Sequence, residues 1–311
     1  MPSQVFIVGT GGTIAGSAAS STDHVGYRAG AVGIDQLVAA VPALQGVPLA
    51  FEQLAQLDSK DMDFGTWARL ARRVQALLDD PAVQGVVITH GTDTLEETAY
   101  LLHRVLKPAK PVVFTAAMRP ATALSADGPQ NLLDAVNVAR TPGVQGVLVV
   151  FGGAVHRADR VRKVHSYQVQ AFASPDGGPV ALVESGSLRA LAPWPAGDGL
   201  GAERLPLEPA AWPRVELLWN AAGVDGAQVP LLTELARREG RRLGLVVAGT
   251  GNGTLANPLE AALREAQEQG VAVLRSTRCA AGPVIGGELP SAGALSAPQA
   301  RVELLLQLLM K

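Results

Sequence analysis

The chain has a single cysteine, Cys279, among 311 residues. An intrachain disulfide is therefore impossible, and nothing in the composition points to an oxidising compartment. It also lacks an excess of basic charge. Its 26 Lys and Arg face 28 Asp and Glu, for a net charge of −2, and the basic residues are scattered, which argues against the basic face a nucleic-acid binder needs. Aromatic residues are scarce at 4%, too few to offer stacking platforms for bases. No apolar run approaches the ~18 residues of a membrane span. The start, Met1-Pro2-Ser3-Gln4, has no basic region, and the apolar run Val5–Val8 is too short for a secretion signal. The expectation is a soluble cytoplasmic protein with no nucleic-acid or membrane partner.

What is present is a long chain, 48% hydrophobic, able to bury ~75% of its unfolded surface without disulfides. Apolar runs rich in Val and Ile occur at Val5–Val8, Gly85–Thr89, Pro111–Thr115 and Gly146–Phe151. They read as strands buried on both faces. Between them, 66–78, 95–106 and 131–140 carry apolar residues at helical spacing. Asp127-Gly128-Pro129 reads as an N-cap with proline in the first turn. This alternation predicts an α/β protein with a mostly parallel sheet flanked by helices. A tract dense in Gly, Pro and Ala then reads as a linker. Smaller strand and helix candidates follow it. The expected division is an N-terminal catalytic α/β domain over 1–190, a linker over 191–213, and a smaller C-terminal α/β domain over 214–311.

The first strand runs into "GTGGTIAGS". A dinucleotide fingerprint needs glycines at positions one, three and six, and neither register here supplies them. The lysine of a phosphate-binding P-loop is missing as well. Thr10 and Thr13 remain, at the carboxyl end of a strand, where open α/β sheets bind ligands; each could equally cap the loop. The strand at 85–89 ends in a second polar burst, His90-Gly91-Thr92-Asp93-Thr94, before a helix. Glu97 lies three residues after Thr94, so that pair fits a capping box. Thr94 is assigned to capping, and Thr92 and Asp93 are kept for chemistry. His90 reads as fixing loop geometry. The other histidines show no metal-ligand spacing, and Cys279 reads as a small side chain rather than a nucleophile.

"TGGTIAG" at 10–16 and "HGTDTLEETA" at 90–99 resemble the two signature motifs of the bacterial-type L-asparaginases, which include the glutaminase-asparaginases. "DSKDM" at 58–62, "AAMRP" and "SADGPQNL" within 116–132, "RKVHS" at 162–166, "GTGNGTL" at 249–255 and "RSTR" at 275–278 extend the similarity nearly end to end. The resemblance implies hydrolysis of L-asparagine to L-aspartate and ammonia, with L-glutamine as a secondary substrate. The reaction would pass through a threonine acyl-enzyme and need no metal or organic cofactor. Thr13 would be the nucleophile, and Tyr27 would sit on a lid formed with 16–22. Thr92, Asp93 and Lys163 would form a second catalytic cluster. Ser59, Gly91, Thr92 and Asp93 would hold the α-carboxylate and ammonium, with Ala117 and the Thr92 N–H facing the amide oxygen. Asn252 would come from a neighbouring subunit of a homo-oligomer, a dimer of dimers.

Two positions depart from the family pattern. Lys60 stands where better-known members carry a neutral residue, so it would either repel the substrate ammonium or turn outward. The region after Arg278 is short, and Glu288 is its one acid before the helical pattern at 298–310; it is mapped to a glutamate that meets the ammonium from the next subunit. Two other readings make demands that this sequence does not meet. An asparaginase-like subunit of a tRNA-dependent amidotransferase would carry an extra N-terminal domain, whereas the first strand here begins at Val5. A non-catalytic asparagine-binding protein would have lost a hydroxyl, whereas Thr13, Thr92 and Tyr27 are all present.

Overall fold

The computed structural model describes residues 3–311 and divides into two compact units, the first ending at Leu207 and the second spanning Glu208–Lys311. The first contains strands β1 (Gln4–Gly11), β2 (Leu49–Leu57), β3 (Val83–Thr89), β4 (Pro111–Thr115), β5 (Gly146–Phe151), β6 (Ala154–Arg157), β7 (Arg162–Lys163), β8 (Phe172–Ala173), β9 (Ala181–Glu184) and β10 (Ser187–Ala190). Its helices are α1 (Ile34–Ala39), α2 (Phe64–Asp79), α3 (Leu95–Val105) and α4 (Gly128–Arg140). One sheet has the order β10-β9-β6-β5-β4-β3-β1-β2. From β2 to β5 all neighbours are parallel, and β6, β9 and β10 add an antiparallel edge.

The buried runs behave as their composition requires. β4 and β5 are buried at every residue. Val5, Ile7, Val87, Val113, Leu148 and Val150 share one core with Ile34 of α1 and with Leu132, Ala135 and Ala139 of α4. α2 and α3 pack against each other, and the buried Trp67 indole donates to Thr98 Oγ1 at 2.9 Å. Asp63 caps α2 by accepting from Thr66 N at 2.7 Å. Each fully buried Leu, Val or Phe contributes about 1.5–3 kcal/mol of transfer free energy, so these helix–sheet seams dominate the stability.

β2 was not anticipated. It is an edge strand, half exposed along most of its length, so it shows no continuous apolar run. The expected N-cap at Asp127 also differs. Its side chain makes no cap bond to α4, because the carboxylate instead accepts from the N–H groups of Met118 and Arg119, both at 3.0 Å.

The first part of the Gly/Pro-rich tract is bound to the first unit. The N–H groups of Asp198, Gly199, Leu200 and Gly201 donate to carbonyls of His103, Leu106, Arg104 and Val105, which satisfies the open carbonyls at the end of α3. Leu205 is fully buried, and Arg72 donates to its carbonyl at 2.8 Å.

The second unit has β11 (Arg214–Trp219), α5 (Gln228–Glu239), β12 (Leu243–Gly249), α6 (Asn257–Glu268), β13 (Ala272–Thr277) and α7 (Ala297–Met310), with a parallel sheet β11-β12-β13. α5 and α6 share a core with Leu245, Val247 and Val273. α7 opens with a capping box between Ser296 and Gln299 and packs on the sheet through Leu304, which leaves no room for a side chain on Gly244.

Candidate active site

The strand order β2-β1-β3-β4-β5 places a topological switch point between β1 and β3. Chains leaving the two strands diverge there, opening a crevice at their carboxyl ends. Backbone contact closes its floor. Gly11 and Gly12 have φ of +103° and +83°, values that favour glycine. A side chain on Gly12 would overlap Gly91 Cα and N, and one on Gly91 would overlap Ser59 Oγ. The ends of β1, β3 and β2 therefore touch, and Thr13, Thr92 and Ser59 are each at or beside the point of contact.

Thr13 starts a 3-10 turn and is buried; its Oγ1 shares a 2.7 Å hydrogen bond with Tyr27 Oη. The intervening loop is pinned at several points. Ser17 and Arg28 exchange backbone hydrogen bonds of 3.0 and 2.9 Å, and Ala121 N donates to Gly16 O at 2.9 Å. Beyond the end of β3, Lys163 Nζ donates to Thr92 Oγ1 at 2.9 Å and pairs with Asp93 Oδ1 at 2.6 Å. The Lys163 side chain is 19% exposed and that of Asp93 52%. The ammonium is thus mostly withdrawn, while the carboxylate keeps a face open to an incoming ligand. Ser59 Oγ accepts from Asp93 N at 3.1 Å, so its own O–H remains available to donate.

Thr94 is a correction to the sequence reading. It occupies the N-cap position of α3, but its side chain makes no cap bond. Its hydroxyl donates to Ser59 O at 2.7 Å and ties the β2 end to the β3 end. The spacing of Thr94 and Glu97 fits a capping box, but the neighbouring strand end supplies a competing acceptor.

Ala117 follows β4 and is fully buried. Among the described residues, neither its N–H nor that of Thr92 donates within the chain. Unpaired buried N–H groups are uncommon, so both are open to an acceptor atom from a bound ligand.

Lys60 points outward: its Nζ is 2.7 Å from Asp58 Oδ2 and 3.2 Å from Asp61 Oδ2. Hydrogen bonds that it donates to Asp58 and then to Asp61 raise its pKa and hold it as a cation. Asn252 and Glu288 lie in the second unit. Asn252 donates to Ile285 O at 2.7 Å and accepts from Ile285 N at 2.8 Å; Glu288 pairs with Arg264.

His90 is fully buried, edge-on to Phe114, with Nδ1 2.7 Å from Gly91 O. A carbonyl only accepts, so Nδ1 carries the proton. Burial lowers the pKa to about 4, against which the Gly91 bond is a smaller effect. His156 is also lowered to about 4 by burial, its Nδ1 2.9 Å from Ser174 Oγ. Both imidazoles are neutral in the fold, whereas the unfolded chain takes up these protons near pH 6.5. Their stabilisation is therefore complete above pH 6.5 and is lost as the pH falls towards 4. Relative to His156→Gln, the wild type should lose about 2 kcal/mol of unfolding free energy between pH 7 and pH 5. Denaturant melts of the two proteins at both pH values test this; a gap that stays constant would contradict a neutral, buried His156.

Residues 4–195 match the family described as asparaginase, N-terminal, and 214–311 match the glutaminase/asparaginase C-terminal domain. The chain belongs to the asparaginase family. A glutaminase-asparaginase of Pseudomonas fluorescens biotype A is 38% identical over 288 residues, covering 89% of this chain and 76% of that protein. L-asparaginase 2 of Bacillus subtilis (strain 168) is 35% identical, covering 98% and 82%. The crystal structure of a probable cytoplasmic L-asparaginase from Campylobacter jejuni superposes with a TM-score of 0.90 at 36% identity, covering 98% of this chain and 95% of that one. The asparaginase fold accounts for the antiparallel edge and the small second sheet as well as for the parallel core.

Proposed function

We propose that the chain is an amidohydrolase that converts L-asparagine to L-aspartate and ammonia, with L-glutamine as a slower substrate. The observation that carries this reading is the pair of hydroxyl clusters at adjoining strand ends, Thr13–Tyr27 and Thr92–Lys163–Asp93. Membership of the asparaginase family and the names of its relatives support it.

In this mechanism Thr13 Oγ1 attacks the carboxamide carbon. A threonine hydroxyl is a weak nucleophile unless a neighbour takes its proton, and Tyr27 Oη is the group in contact with it. Charge developing on the amide oxygen meets the free N–H groups of Thr92 and Ala117. One such donor is typically worth ~3–4 kcal/mol of barrier. The C–N bond then breaks and ammonia leaves with an added proton. Water then adds to the ester carbonyl, oriented by Thr92 Oγ1, which the Lys163 ammonium holds in place; as the acyl C–O bond breaks, the water's proton passes to Thr13 Oγ1. Asp93 receives the substrate ammonium on its exposed side, and the Ser59 O–H holds the α-carboxylate. Lys60, bound by two carboxylates, keeps its charge away from that ammonium.

We further propose a cytoplasmic homo-oligomer, a dimer of dimers, in which Asn252 serves a neighbouring subunit. Ammonia release from asparagine and from glutamine by the purified chain tests the activity. Asparagine should turn over faster; a protein that binds asparagine and releases no ammonia would sink the hydrolase reading.

A further inference from the structure

Lys163 lies on β7, a strand of two residues paired only with β8, through Arg162 opposite Ala173 and Lys163 opposite Phe172. So short a ladder does not by itself fix a lysine to within the fraction of an ångström that proton transfer needs. The side chain's four-carbon stem adds further freedom.

A second anchor comes from α3. Glu96 is in the first turn of that helix and is 8% exposed. Its Oε2 accepts a 2.7 Å hydrogen bond from the Lys163 backbone N–H. The helix N-terminus favours a carboxylate there. Lys163 is therefore gripped at both ends by one short segment. Glu96 holds the main chain, and Thr92 and Asp93 receive the ammonium at 2.9 and 2.6 Å. Because all three partners lie between 92 and 96, any shift of the β3–α3 junction carries the lysine with it.

We infer that Glu96 is a positioning residue: by binding the Lys163 main chain it sets the Nζ–Thr92 distance. This rests on the hydrolase reading of the Thr92–Lys163 pair. Glu96 also acts electrostatically on the buried Arg162, together with Asp176, so its acceptor oxygen and its charge need to be separated experimentally.

Steady-state kinetics on the full chain do so, with thermal melts to verify folding. Lys163→Met should lose about 10³-fold in kcat. Glu96→Ala should lose about 10²-fold in kcat with KM within about threefold. Glu96→Gln keeps an acceptor but no charge and should recover to within about fivefold of wild type. In the Lys163→Met background, Glu96→Ala should change kcat by less than about twofold. Should Glu96→Ala melt below the assay temperature, Glu96→Met, which fills the volume without an acceptor, takes its place.

The failures are distinguishable. A fully active Lys163→Met overturns the site reading and the role of Glu96 with it. An impaired Lys163→Met beside a fully active Glu96→Ala overturns only the positioning role. A Glu96→Gln as poor as Glu96→Ala assigns the effect to charge on Arg162. Equal losses in both backgrounds assign it to the fold at large. Either of the last two results also rejects the inference.

Discussion

Thr13→Ala should lower ammonia release from asparagine by at least about 10³-fold while asparagine still binds. The substitution removes the oxygen proposed to attack and one methyl group from a buried turn. It leaves Ser59, Asp93 and the free N–H groups of Thr92 and Ala117 untouched. The turn itself is held by backbone bonds, Ala15 N to Gly12 O at 3.2 Å and Gly16 N to Thr13 O at 2.8 Å, so the fold should persist. A dead but correctly folded protein with asparagine affinity within about tenfold of wild type is the expected result, read by an ammonia assay and by calorimetric titration. Undiminished turnover in Thr13→Ala would remove the nucleophile from the mechanism.

The second large effect is expected at Thr92. Thr92→Val keeps the side-chain shape and the backbone N–H but deletes the oxygen that accepts from Lys163 at 2.9 Å. The N–H proposed to meet the amide oxygen survives, and the hydroxyl proposed to orient the water does not. Assistance to the water of the general acid–base kind is worth about 10²–10⁴ in rate, so kcat should fall by that much with little change in KM, because the groups proposed to hold the substrate, Asp93 and Ser59, are unchanged. The split between the two constants is the informative readout. A large rise in KM with kcat preserved would make Thr92 a binding residue only.

Most of the parallel core was legible because its strands are buried on both sides and therefore spelled as unbroken Val/Ile runs. β2 escaped notice for the converse reason: an edge strand exposes half its side chains, and Phe51 is among the exposed ones. The antiparallel strands β6–β10 span two to four residues each, too few for a period to be read. Within the site, Thr13, Thr92 and Asp93 were visible at the ends of readable strands. Lys163 was found only through its family motif, since its local sequence looks like a solvated basic loop. Glu96 gave no usable signal, because a glutamate in the first turn of a helix is what favourable helix electrostatics alone would select. Thr94 gave a misleading one: its capping-box spacing is real, yet its hydroxyl goes to Ser59 O.

The sequence by itself determined most element types of the parallel core, the two-hydroxyl character of the site and the family, since periodicity and short motifs are local properties of a chain. The tertiary structure decided which polar groups meet. It brought the ends of β1, β2 and β3 within touching distance at Gly12, Gly91 and Ser59, turned Lys60 towards Asp58 and Asp61, and joined Lys163 to residues about seventy positions away. The physical reason is that a hydroxyl or carboxylate has several acceptors and donors of comparable strength within its local reach. Packing of distant strands, fixed by buried apolar area rather than by the polar groups themselves, selects among them.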